Sequence, residues 1–363
     1  MKRFIDFPYR LHRRDPLWVP PLRRDVEAIL SRTKNPFFEH AEAEYFIAER
    51  NGEVVGRIAA ISNRLHNETH GDRVGFFGFF ESIPDQATAD ALFEAAGDWC
   101  RARGHDVLRG PASFSVNDEC GLLVDGFDTP PTILMPHNPR YYVDLLERAG
   151  FAKAKDLWVY QGGSVERYVP VPERLARGTE LIRQRQGITL RSLNLRDFDG
   201  EVERIKALYN SAWQKNWGFV PMTEHEIDHL AEQFKPVVIP ELVPMAEKDG
   251  QLIGFGITLP DLNVVLRGNR SGRLFPVVLP LLWALKMKRI RRARILLLGI
   301  HPSYQGKGID AMLYHWIWTK SGERGITWGE AGWILEDNAA MNAGLEKMTF
   351  RVYKTYRLYD RQL

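Results

Sequence analysis

Gln305, Gly306, Lys307 and Gly308 stand between an apolar run, Ile295 to Ile300, and a helical pattern in which Ile309, Met312, Leu313 and Trp316 share one side. These residue types in this order could hold an anion. Glycines let the main chain approach a phosphate, free N–H groups of the first helical turn point at it, and the helix dipole favours negative charge. The stretch HPSYQGKGI is not a P-loop, which needs four residues between its glycines and a Lys-Ser/Thr after them. A strand-to-helix turn without a ligand would use the same glycines.

Three other groups could do chemistry. His225-Glu226-Ile227-Asp228-His229 matches H-E-x-x-H, in which two His one helical turn apart hold Zn²⁺ and the Glu activates water. Thr223 and Glu226, however, have capping-box spacing, which turns the Glu226 carboxylate back to the backbone. No third ligand announces itself nearby, and no metal is expected. The segment from Pro111 to Asn138 is long for a connection and carries Ser115, Asn117, Asp118 and Glu119; such loops often hold binding residues, although a solvated loop with Asx turns would look the same. Trp213, Asn216, Trp217 and Phe219 form an aromatic cluster after a helix predicted over 198–214, which simple packing would also produce.

The elements that must position these residues occur twice. AERNGEVVG (Ala48 to Gly56) and AEKDGQLIG (Ala246 to Gly254) are both hairpins around an Asn-Gly or Asp-Gly pair. Asp90-Ala91-Leu92-Phe93 and Asp310-Ala311-Met312-Leu313 each open a helix. Asn138 to Tyr160 and Asn338 to Tyr359 each carry a short helix, an aromatic turn and a closing strand. Matched landmarks in one order, about 200 residues apart, argue for a duplicated domain joined near 162–172. Where the second half has HPSYQGKGI the first has ESIPDQATA, without glycine and with Glu81 and Asp85, which would repel a pyrophosphate.

The spacing Gln305-x-x-Gly308 after a strand ending Ile300-x-Pro302 resembles the pyrophosphate loop of the GNAT superfamily of acyl-CoA-dependent N-acyltransferases, and the element order resembles that fold in both halves. The resemblance implies a mixed-sheet α/β fold of tandem GNAT-like domains: 1–165 without a CoA loop, 166–363 binding acetyl-CoA or a longer acyl-CoA. It implies that main-chain N–H groups near Leu298 and Ile300 serve the oxyanion. Gln305, Gly306, Lys307, Gly308 and Ile309 would serve the pyrophosphate, and Asn338 would touch the CoA arm. Trp213, Asn216, Trp217, Phe219, Asn117 and Glu119 are the expected acceptor contacts. Glu330 is the expected base, with His301 second. Two positions depart from the family's pattern. Asp310 puts a carboxylate where Gly or Ala is usual, and Leu345 stands where many members place a tyrosine acid.

A net charge of +3 gives no global field toward nucleic acid, and 44% hydrophobic residues can bury a large core. Two cysteines, Cys100 and Cys120, suit a reducing cytosol, and the N-terminus lacks the apolar run of a signal peptide. Leu274 to Met287 is almost wholly apolar, and Lys286, Lys288, Arg289, Arg291, Arg292 and Arg294 lie in or beyond it. This insert is too short to span a bilayer. It suits a peripheral contact through 274–294 at the inner face of a membrane, a buried helix with a solvated basic end, or arginines meeting the phosphates of CoA or tRNA. The insert and the general look of the chain resemble bacterial N-acyltransferases acting on amino-lipids, ceramide synthases among them. The expected reaction is therefore acyl transfer from CoA to a primary amine, a small molecule or an amino-lipid. A Fem-like transfer from aminoacyl-tRNA and a ligand-binding tandem GNAT protein without catalysis are the alternatives.

Overall fold

The computed structural model describes residues 1–214 and 216–363. Helices α1 (Lys2–Leu11) and α2 (Arg23–Ile29) precede a hairpin of β1 (Ala41–Arg50) and β2 (Glu53–Asn63). Its turn is Asn51-Gly52, both left-handed at φ 51° and 81°, the geometry that matches hairpin twist. Then come α3 (Arg64–His70), β3 (Val74–Ser82), α4 (Gln86–Arg101) and β4 (Val107–Gly110). A long loop holding β5 (Leu122–Asp125) leads to α5 (Tyr141–Arg148) and β6 (Ala152–Gly163).

The order then recurs. After α6 (Glu173–Gln186), β7 (Thr189–Ser192), α7 (Phe198–Trp213) and α8 (Glu224–Phe234), Asp249-Gly250 turns a second hairpin, β8 (Pro244–Lys248) and β9 (Gln251–Pro260). Two inserted helices, α9 (Asn263–Leu266) and α10 (Leu274–Lys286), come before β10 (Arg292–Ile300). The chain continues through α11 (Ile309–Glu323), β11 (Trp328–Leu335), α12 (Ala339–Lys347) and β12 (Arg351–Gln362). The fold is the mixed-sheet tandem that the repeats imply.

All twelve strands among the described residues join one sheet, in the order β1-β2-β3-β4-β12-β6-β11-β10-β9-β8-β7, with β5 beside β12. The last strand of each half is lodged in the other. β6 lies against β11, and β12 lies between β4 and β6. A division at 165/166 is thus a boundary along the chain that the sheet itself crosses.

Local chemistry explains the first half's missing cradle. Asp85 caps α4, accepting from Thr88 N–H at 2.9 Å, and Ala89, Leu92, Phe93, Ala96 and Cys100 bury one face of that helix at helical spacing. Parallel pairing of β3 with β4 stops at Phe76 and Arg109. The gap beyond is filled by the chain itself. Ala112 N–H donates to Phe77 O at 2.8 Å, and a Cβ on Gly78 would stand 2.1 Å from Ala112 O.

Candidate active site

The second half leaves the matching gap open. β10 pairs with β11 in parallel only from Arg292–Ile295 against Trp328–Ala331. Beyond that, β10 follows β9 to Ile300 and β11 follows β6 to Leu335, so the two strands part. A bulge between Ile295 and Leu297 in the β9 ladder accompanies the parting. His301 N–H donates to Ile253 O at 2.9 Å. The alternation of an antiparallel ladder then turns the N–H groups of Leu298 and Ile300 toward the gap.

At the end of β10 the glycine loop closes the opening. Gly306 and Gly308 are left-handed, φ 72° and 81°, a conformation that costs other residues strain. A Cβ on Gly306 would meet nothing within 4 Å, so that face is open, whereas one on Gly308 would meet Ile182 Cδ1 at 2.6 Å. Gly308 caps α11, and Ile309 is buried beneath the loop. Lys307 is exposed, its ammonium 4.9 Å from the Tyr304 ring centre. Asn338 caps α12, its side chain accepting from Met341 N–H at 3.2 Å. Asp310 lines the cavity beside the loop, its Oδ2 leaning toward α12, 3.6 Å from where a Cβ on Gly344 would stand.

A cavity of about 840 Å³ runs from this loop through the gap and into the first half. Gln305, Gly306, Leu298, Ile300 and Asn338 line one end. Tyr9, Trp18, Phe37 and Phe79 form an apolar wall at the other. Between them face Asp118, Glu119, Glu81, Arg57 and Arg294. Asp118 and Glu119 expose surface to the cavity although protein encloses both. That enclosure raises the Asp118 carboxyl to about 7, with Glu226 and Glu119 adding repulsion against the Ser115 hydrogen bonds. It also raises Glu119, against the pull of Arg294 and Arg57. Asp118 Oδ2 accepts from Ser115 Oγ at 2.9 Å. The Glu119 carboxylate has no hydrogen-bond partner among the described residues. Burial would raise Glu81 as well, but His12 Nε2 at 2.7 Å, Arg57, and the Tyr142 hydroxyl donating at 2.6 Å hold it below its ordinary value.

The structure gathers most of the residues singled out from sequence. Trp213, Asn216, Trp217, Phe219, Asn117 and Glu119 all line the cavity. Asn117 Nδ2 ties its loop to Val220 O at 3.1 Å. Lys307, Gly308 and Ile309 shape the glycine loop from outside the lining.

The two expected bases lie elsewhere. Glu330 is fully buried outside the lining, accepts from the Thr132 and Tyr353 hydroxyls, and lies 3.4 Å from Arg294 Nε. Each of its oxygens already accepts a hydroxyl hydrogen bond, and Arg294, which also donates to Gly332 O and Ile133 O, lies beside them at the cavity wall. His301 caps the short helical turn Pro302–Tyr304, its Nδ1 accepting from Ser303 N–H at 3.3 Å. Glu81, Arg57 and Tyr314 also line the cavity and were not among the sequence candidates for chemistry there. The HExxH segment is a capping box: Thr223 and Glu226 exchange hydrogen bonds, His225 meets Glu39, and His229 meets Gln233.

No protein-family model matches the chain. It is 39% identical to the bacterial ceramide synthase of Caulobacter vibrioides, over the whole chain and 95% of that protein. It is 37% identical to the protein YghO of Escherichia coli, over the whole chain and 93% of that protein. Among solved structures, a tandem GNAT protein from the clavulanic acid biosynthesis pathway superposes with a TM-score of 0.57 at 14% identity, covering 99% of this chain and 94% of its own. The chain belongs to the family of the Caulobacter ceramide synthase and YghO, and its fold is that of a tandem GNAT protein.

Proposed function

We propose that this chain transfers an acyl group from an acyl-CoA thioester to a primary amine carried by a lipid. The observation that carries this reading is one continuous cavity that joins the glycine loop at one end to an apolar wall at the other, past a Glu119 carboxylate without a hydrogen-bond partner among the described residues. The name of a full-length relative, ceramide synthase, supports a lipid amine as acceptor.

The residues fit acyl-CoA at the open Gly306 face, where main-chain N–H groups and the start of α11 would take the pyrophosphate. Acyl-CoA supplies an activated thioester carbonyl. Leu298 and Ile300 N–H groups would hold the developing oxyanion in the gap. Asn338 would meet the CoA arm. Glu119 would accept the proton from the attacking nitrogen as the N–C bond forms and the C–S bond breaks, with Asp118 beside it and Glu81 and Trp217 on the acceptor side. A leaving thiolate of pKa about 8.5 needs little help near neutral pH, so the leucine at 345 costs little.

Two measurements test this. Acyl-CoA at 100 times its dissociation constant should stabilise the chain by about 2.7 kcal/mol. Glu119→Gln should lower kcat for a long-chain amine by about 10²–10⁴-fold while leaving that shift in place. Stabilisation by tRNA alone would favour an aminoacyl-tRNA donor. Acyl-CoA binding with full turnover in the Gln variant would remove Glu119 from the reaction.

A further inference from the structure

One face of helix α10 is left uncovered by the described residues. Phe275 is 69% exposed, Leu279 65%, Leu282 56%, Met287 53% and Trp283 50%, with Val264 of α9 at 50% beside them. Only Val277 and Ala284 of α10 are buried. Side chains this large, exposed together on one element, form a contact face and not scattered surface residues. Cations stand at both ends of the face. Arg267 and Arg273 precede it, and Lys286, Lys288, Arg289 and Arg291 follow it, all exposed. From Leu262 to Ile309 the sequence holds no acidic residue. Among the described residues none of these six cations has a carboxylate within 4 Å, although Arg289 lies over Trp283, 4.2 Å from the ring centre.

We infer that α9 and α10 dock on an anionic lipid bilayer, with Phe275, Leu279, Leu282, Trp283 and Met287 entering the acyl boundary and the flanking cations meeting the headgroups. The charge decides among occupants. A second copy of this chain would set six cations against six, whereas an anionic headgroup layer neutralises them while the tails take the apolar side chains. The helix lies in the interface and does not cross it: no helix among the described residues is long and apolar enough to span a membrane.

The place of α10 gives the docking a purpose. Its Leu281 and Leu285 share a small core around Leu262, Ala284 and Ile290 with Val265 and Leu266 of α9, and Leu266 and Asn263 also line the cavity. The α9–α10 connection is pinned to the cavity's apolar wall. Arg23 N–H donates to Gly272 O at 2.9 Å, and Arg270 Nη1 donates to Trp18 O at 3.1 Å. One helix, about 10 Å wide, thus separates the bilayer face from the acceptor end of the cavity. A lipid amine could pass from one to the other without crossing water. This route rests on the lipid acceptor proposed above; the docking itself does not.

The full chain should co-sediment with vesicles of phosphatidylcholine and phosphatidylglycerol in equal parts, and much less with phosphatidylcholine alone. Binding should weaken with added salt. Each cation removed in the series Lys286→Glu, Lys288→Glu and Arg289→Glu should weaken it at least about fivefold. The double variant Leu279→Asp with Trp283→Asp should lose vesicle binding and keep its melting temperature, since both side chains are exposed. Equal sedimentation of these variants and the parent chain overturns the docking. So does a parent dimer that the Asp pair splits into monomers while vesicle binding persists. No acyl donor enters the assay, so failure of the transferase reading leaves its result intact. If turnover of a water-soluble amine survives the Asp pair while turnover of a vesicle-borne amine falls, the route is supported; equal turnover of both overturns it.

Discussion

Asp118 carries a cost that pH can switch. Its folded carboxyl titrates near 7, above the ordinary value of 3.8, because protein encloses it and Glu226 and Glu119 repel its charge. A raised carboxyl adds stability below its unfolded value and loses it as pH climbs through 7. Asp118→Asn, which keeps an oxygen to accept from Ser115, should therefore raise the melting temperature at pH 8, and the gain should vanish by about pH 4. Scanning calorimetry across that range checks the sign. Sequence flagged this loop by its length and polar residues, and that much was legible. It could not rank Asp118 and Glu119 above Glu330, because their neighbours Tyr209, Glu226 and Arg294 come from far along the chain. Glu330 shows the converse. β11 is an interior strand, so a glutamate in it has no legible face. Its partners Thr132, Arg294 and Tyr353 are brought in by strand register and by the long loop.

Elements whose geometry is local were legible almost to the residue. Two left-handed glycines, Gly306 and Gly308, and the capping box at Thr223 and Glu226 are written in a handful of neighbouring residues. The two should respond differently to substitution. Gly308→Val forces a β-branched residue into a left-handed backbone and against Ile182, so acyl-CoA affinity measured by calorimetric titration should fall at least about tenfold. Thr223→Ala should cost about 1 kcal/mol of stability and leave that affinity unchanged. The insert was half legible: its apolar and basic composition was plain. A run of fourteen residues from Leu274 to Met287 reads the same whether a core or open solvent meets it.

At the scale of the molecule, duplication was visible as repeated landmarks, but the exchange of closing strands was not, since β6 and β12 would carry the same apolar pattern in either slot. The exchange makes the halves mutually dependent. Fragments 1–165 and 166–363 expressed apart should aggregate or stay unfolded, and expressed together should recover a soluble pair. Two fragments that each melt cooperatively would show that the swapped strands are dispensable. The position of β12 also sets a schedule for synthesis. It leaves the ribosome after every other strand described here, yet it seats at the middle of the sheet, between β4 and β6. Until then β4 offers a bare ladder of N–H and C=O groups to any passing chain. The nascent protein is therefore most exposed to mispairing in the interval before β12 arrives, and a chaperone that shields β4 during that wait would raise the yield of folded protein.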